Sequence, residues 1–264
     1  MSKPAYIGVT GFMTPQEVRA GLQYFTGSSW RKLMVGVLAS SKTLTGRQDK
    51  WPGRYPAIDR IGEIFQSHPA VLNLIHYHTD LPTTLSSQLV CLTEVAGERL
   101  HGFQLNIAWP EVQELYAFHA ATDWKYRIVL QIGGGAMAKA EHSPEKLADM
   151  IARYCHPLRI IDDVLIDPSG GHGQPFDAEK ARVYLREIVR RGHDINVGVA
   201  GGLGPDTTHL FKPLLREFPR LNIDAEGKLR VPGYDDLDVV KMTGYLNRSL
   251  ELMHAAAMDN MPME

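Results

Sequence analysis

One pattern limits what this chain of 264 residues can fold into: eight short apolar runs, each followed by a helix-like segment, with no two runs in succession. The runs are Tyr6 to Thr10, Lys32 to Ala39, Val71 to His78, Phe103 to Ala108, Tyr126 to Ile132, Val164 to Asp167, Ile195 to Ala200 and Leu221 to Asp224. Helix starts between them are marked by Thr14 ahead of Pro15 and Glu17, by Trp109-Pro110, by Ser143 ahead of Pro144 and by Pro205-Asp206. Helices are expected at about 58–66, 86–98, 111–121, 143–156, 178–191, after Pro205, and at 236–258. Strict alternation with short loops requires parallel strands, and eight of them over about 250 residues close on themselves. The expected fold class is therefore α/β, a (β/α)8 TIM barrel forming a single domain over residues 1–264. An open doubly wound sheet is the alternative. It calls for a Gly-rich turn after the first strand and an acid about 20 residues on, and Gly8 and Gly11 are too few for that.

Composition narrows the partner. A hydrophobic share of 44% allows a full core, and a net charge of −2 without a block of one sign leaves no basic footprint for nucleic acid and no polybasic membrane patch. The N-terminus has no apolar signal core and no apolar run is long enough to span a bilayer, which implies a cytoplasmic protein. The expected partner is a small molecule, with no cofactor and no resident metal, and the chain is expected to be a monomer or homodimer. Cys91 and Cys155 both fall in helix-like segments and read as reduced core thiols. The Met253, Met258, Met261 and Met263 tail reads as a packing helix, frayed from about residue 259.

Barrels of this kind carry their chemistry where strands end. The candidates are Thr10, His76, His78, Gln104, Asn106, Gln131, Asp167, Gly201, Gly202, Asp224 and Glu226. Asp167 closes its strand and is followed by Gly170, Gly171, His172 and Gly173, a loop whose backbone N–H groups can approach a ligand. The alternative is an ordinary mobile loop with Asp167 as a turn residue; His172 covers the substrate or merely faces water. His76 and His78, two apart, point to one side of the sheet. They could grip a metal with Asp167, His172 or Asp224, or one of them could hydrogen-bond a carboxylate and serve as a base near its usual pKa of about 6.5. The long loop 40–56 carries Trp51, Arg54, Lys42, Arg47 and Lys50 and is either a lid suited to an anionic or aromatic substrate or a disordered flap.

Taken in order, several stretches resemble phosphoribosylanthranilate isomerase, within the ribulose-phosphate-binding barrels. Thr10-Gly11-Phe12-Met13 with Pro15 is similar to that family's opening segment, Arg54-Tyr55-Pro56 to its loop after the second strand, and Gln104-Leu105-Asn106 to its fourth strand. Leu165-Ile166-Asp167 with Gly170 to Asp177 resembles its catalytic acid and glycine loop. Ala200-Gly201-Gly202-Leu203 resembles its phosphate loop, and Asp224-Ala225-Glu226-Gly227 with Pro232-Gly233 its closing stretch. The resemblance implies an Amadori-type isomerisation in which Asp167 protonates a ribose ring oxygen and a base removes the C2 proton. From the strand ends and the resembling loops together, substrate binding is expected from Arg54, Gln104, Asn106, Gln131, Gly171, His172, Gly173, Gly201, Gly202, Asp224 and Glu226.

The chain departs from the family at two places. Thr10 occupies the position of the catalytic cysteine, and a hydroxyl is too weak an acid to act as the base, so it would orient substrate while His76 or His78 takes the base role. Glu226 stands where a small hydroxyl residue flanks the phosphate, and Gln174 replaces a lysine; Glu226 either repels a phosphate or turns to solvent beside Lys228. A divergent lyase or hydrolase, with or without help from a metal, and a non-catalytic metabolite-binding protein are the alternatives to the isomerase.

Overall fold

The computed structural model describes residues 3–25, 30–49, 51–167 and 176–259. Eight strands, β1 (Ala5–Thr10), β2 (Arg31–Ser40), β3 (Val71–His78), β4 (Gly102–Leu105), β5 (Arg127–Ile132), β6 (Asp163–Ile166), β7 (Asn196–Val199) and β8 (Asn222–Ala225), pair in parallel in chain order. The ring closes where β8 returns to β1, with Gly8 opposite Asp224 and Val9 opposite Ala225. This is the (β/α)8 barrel that the alternation predicts.

The outer layer holds α1 (Pro15–Leu22), α2 (Ser41–Leu44), α3 (Ile61–Ile64), α4 (Leu85–Ala96), α5 (Val112–Ala121), α6 (Gly134–Lys139), α7 (Pro144–Ala152), α8 (Ala178–Arg190) and α9 (Val239–Asp259). Local chemistry starts several of them. The Thr14 hydroxyl accepts from Glu17 N while the Glu17 carboxylate accepts from Thr14 N, a reciprocal cap ahead of Pro15. Ser143 and Asp177 cap α7 and α8 through Lys146 N and Lys180 N.

Alternation along the strands separates two cores. Residues facing out pack against the helices, while Tyr6, Met34, Leu72, Leu74, Val129, Leu165 and Ala200 form a separate buried cluster inside the ring. Below it, at the N-terminal ends of the strands, Arg127 pairs with Asp163 through Nε at 2.6 Å and Nη2 at 2.5 Å. Asn196 and Asn222 donate to the same carboxylate at 3.1 and 2.9 Å. This fully buried polar plug satisfies itself and closes the floor. Above the apolar cluster the inward positions become Thr10, His76, Gln104, Gln131, Asp167 and Asp224, all buried.

Several local expectations are corrected. The segment 58–66 is one 3-10 turn, Ile58–Arg60, and a single α turn rather than a long helix. Pro205-Asp206 starts no α-helix; the connection from β7 to β8 contains only the 3-10 turns Thr208–Leu210 and Lys212–Leu214. A short helix not expected from the sequence, α6, opens at Gly134 ahead of α7. The loop 40–56 is folded: Asp49 accepts from the Ser40 and Thr43 hydroxyls at 2.7 and 3.1 Å, holding α2 in place. Cys91 is exposed rather than in the core, and Cys155 is buried in the turn after α7, not in that helix. Met253 packs in the core while Met258 is exposed; residues from 260 on lie outside the described part. Among the described residues no helix is long and apolar enough to cross a membrane.

Candidate active site

At the C-terminal ends of the strands a cavity of about 450 Å³ opens over the polar layer. Trp51 and Arg54 come to it from loop 40–56, His76 from β3, and Asn106 and Gln131 from β4 and β5. Asp167 follows β6, Ala200 to Leu203 follow β7, and β8 with its loop contributes Asp224 to Lys228. A neighbouring hollow of about 290 Å³ shares Asn106, Gln131 and Asp167 and adds His78 and Gly133 to Gly135. Alternation explains why these residues converge: in β8, Asn222 belongs to the floor, Asp224 to the polar layer and Glu226 to the mouth, each two positions further along one side.

Asp224 is the centre of the layer. Its oxygens accept from the Thr10 hydroxyl at 2.9 and 3.1 Å and from Gln104 Nε2 at 2.9 Å. Burial, and next the negative charge of Glu226, push its carboxyl up to about 7, against the lowering effect of the Gln104 and Thr10 hydrogen bonds. It therefore exchanges its proton near neutrality. The Thr10 hydroxyl donates to this carboxylate because β1 and β8 are adjacent strands of the closed ring. The space comes from Gly36, where a side chain would meet the Thr10 hydroxyl at 2.6 Å, and from Gly8, where one would meet Asp224 Oδ1 at 2.7 Å.

His76 is buried, and burial lowers its pKa, so the neutral ring is favoured near pH 7. Its Nδ1 lies 3.1 Å from Gln104 Nε2. His78 sits one repeat further out, half exposed, with Nδ1 2.9 Å from Asn106 O and Nε2 3.4 Å from Asp80. The two histidines thus face the same side but meet different partners. Among the described residues no group of three or more His, Cys, Asp or Glu could hold a metal ion.

Glu226 lines the cavity rather than turning to solvent beside Lys228. Its carboxylate meets Arg54 Nη1 at 3.1 Å, and Arg54 Nε meets Asp235 at 2.9 Å. The guanidinium also lies 5.0 Å from the centre of the Trp51 ring. Loop 40–56 is in this way tied to the loop after β8, and the charge on Glu226 is offset by a cation. Gly201 and Gly202 take positive φ values of 93° and 66°, which turn the backbone at the mouth. No α-helix follows these glycines before β8, and the charged side chains beside them in the cavity are Arg54, Glu226 and Lys228. Gly171, His172 and Gly173, and Gln174 with them, lie outside the described residues.

Two groups in the mouth escape a sequence reading. Arg230 is buried and clamps the end of β1, donating to Thr10 O at 2.9 Å and Gly11 O at 3.2 Å. A side chain on Gly11, whose φ is 97°, would collide with this guanidinium at 1.8 Å. Asp235 anchors Arg54. Neither stands at a strand end, and both contacts span more than 180 residues of chain.

With this geometry in hand, comparison with solved structures gives close agreement in shape at low identity. Phosphoribosyl anthranilate isomerase from Thermotoga maritima superposes with a TM-score of 0.61 at 14% identity, over 94% of this chain and 99% of that one. The chain shares that fold. KGPDC from Streptococcus mutans gives a TM-score of 0.55 at 10% identity, covering 96% of this chain and 99% of its own. Orotidine 5'-monophosphate decarboxylase from Methanocaldococcus jannaschii, in complex with the inhibitor BMP, gives 0.55 at 11%, covering 98% and 99%. No family model matches the sequence, and no curated protein matches it. The match to three differently named enzymes fixes the architecture and leaves the reaction to the site.

Proposed function

We propose that the chain is an acid–base isomerase acting on a small, sugar-derived anion by an Amadori-type rearrangement, in the manner of phosphoribosylanthranilate isomerase. The observation that carries this reading is a cavity at the strand ends floored by a carboxyl that exchanges its proton near pH 7, lined also by a second carboxyl, Asp167, after β6 and by a neutral imidazole, His76, from β3. Asp224 and His76 are both groups that can pass a proton in either direction at that pH. Asp167 gives a proton to the ring oxygen, the C1–O bond breaks, and the open-chain iminium forms. His76 takes the proton from C2, giving the enaminol; His76 then returns that proton to C1 while the 2-hydroxyl gives its proton back to Asp167, which leaves the aminoketose and both groups restored. His76 is preferred to His78 because it is desolvated and lines the larger cavity, whereas His78 is half exposed and engaged by Asp80 and Asn106. Arg54 and Lys228 attract the anion, and Glu226, offset by Arg54, selects against a ligand that would displace that pair.

The test is turnover of phosphoribosylanthranilate by the purified protein, followed optically. Activity reduced by about 10²-fold or more in Asp167→Asn supports the assignment. No turnover by the unmodified protein removes it.

A further inference from the structure

The amide of Gln104 is over-committed. Its Nε2 carries two hydrogens yet faces three acceptors: Asp224 Oδ2 at 2.9 Å, Gln131 Oε1 at 3.0 Å and His76 Nδ1 at 3.1 Å. Its Oε1 is buried with no hydrogen-bond partner. An unpaired buried carbonyl beside an over-subscribed amine is costly in a dry layer. Two arrangements settle the crowding of three partners at one end, each leaving the other end of the amide unpaired, and they differ in where protons sit.

With the nitrogen toward Asp224, the amide donates to an ionised carboxylate and to a bare Nδ1, so His76 carries its proton on Nε2. Rotating the amide by half a turn puts Oε1 in that place. The oxygen then accepts from a protonated Asp224 and from an Nδ1–H, with Gln131 turning its own amide to match, and His76 is left with a lone pair on Nε2. With the Asp224 proton on Oδ2, the oxygen that faces Gln104, mixed arrangements set two donors or two acceptors against each other.

We propose that the Gln104 amide couples the proton on Asp224 to the tautomer of His76, so that Nε2 is a base when Asp224 is protonated and a donor when Asp224 is ionised. Passing from the second form to the first, the layer takes up one proton. His76 stays neutral throughout, releasing a proton from Nε2 to solvent and regaining one at Nδ1. Gln104 is thus a positioning residue. The groups facing Asp224 are Thr10 and Tyr6 from β1, Gln104 from β4, Glu226 from its own strand and Tyr245 from α9. Those facing His76 are Gln104, Glu226, His78 and Asp167. Both tyrosines are held protonated by burial, so the changes of charge near pH 7 centre on Asp224. The coupling rests on the proposed function only for the use made of His76; it exists without substrate.

The experiment is NMR on the full chain labelled with 15N-histidine and 13C-aspartate, from about pH 5.5 to about pH 8.5, without ligand. The two nitrogens of a neutral ring give distinct resonances according to which is protonated. The expected result is that His76 exchanges its Nδ1–H pattern for the Nε2–H pattern over the interval in which the Asp224 carboxyl carbon titrates. In Gln104→Met that carbon still titrates while the His76 shift is lost; in Asp224→Asn the His76 pattern no longer depends on pH. A single His76 tautomer across the range in the unmodified chain overturns the proposal, as does a switch that persists in folded Gln104→Met. Because the unmodified chain is decisive by itself, a variant that fails to fold leaves the test intact. Absence of isomerase activity would leave these spectra unchanged.

Discussion

A methyl group added at Gly36 would stand 2.6 Å from the Thr10 hydroxyl and 3.0 Å from its Cα. Gly36→Ala is therefore expected to force Thr10 off Asp224, costing about 1–3 kcal/mol of stability as an overpacked core, which a urea melt measures. Asp224 itself titrates in the opposite sense from a salt-bridged acid. Between its ordinary value of 3.8 and about 7 the native state holds a proton that the unfolded chain has released, so stability falls as pH rises through that interval and levels off above it. Asp224→Asn removes this dependence. It should raise stability by roughly 2–4 kcal/mol at pH 8 relative to the unmodified chain, with the gain fading toward pH 4, as read by denaturant midpoints across pH. The importance of Asp224 was only half legible: its place at a strand end follows from alternation, but its burial under Thr10 and Gln104 depends on ring closure and on two bare glycines.

At the scale of elements, the mouth is held by the tie between loop 40–56 and the loop after β8. Arg54 bridges Glu226 and Asp235 while partly exposed, so its net contribution is small, on the order of 1 kcal/mol or less. Arg54→Ala should leave the global melt nearly unchanged while amide exchange quickens across residues 41–56, since those contacts order the loop rather than the barrel. The strands were legible because their apolar runs, though short, recur at a regular spacing and are bounded by turn and cap residues. The missing helices at 58–66 and after Pro205 were not, since capping signals there precede only short apolar stretches, and a turn of 3-10 helix meets the same local preferences. Arg230 against Gly11 carries no periodic signature at all.

The whole molecule stacks three interior zones: a polar plug at the floor, an apolar middle and a titrating layer under the mouth. The plug is independent of the chemistry above it. Asp163→Ala would strand the buried Arg127 guanidinium and is expected to cost about 3–5 kcal/mol, visible in the urea midpoint, without moving the titration of Asp224. That Thr10, His76, Gln131, Asp167 and Asp224 gather at one face was legible from topology, because a closed parallel ring brings every strand end together. The proton economy of that face was not, since it depends on which side chains exclude water together. Its most direct test is the carboxyl-carbon NMR titration of Asp224 in the unmodified protein. The account predicts a midpoint of about 7, far above the ordinary 3.8; a midpoint near 4 would contradict it.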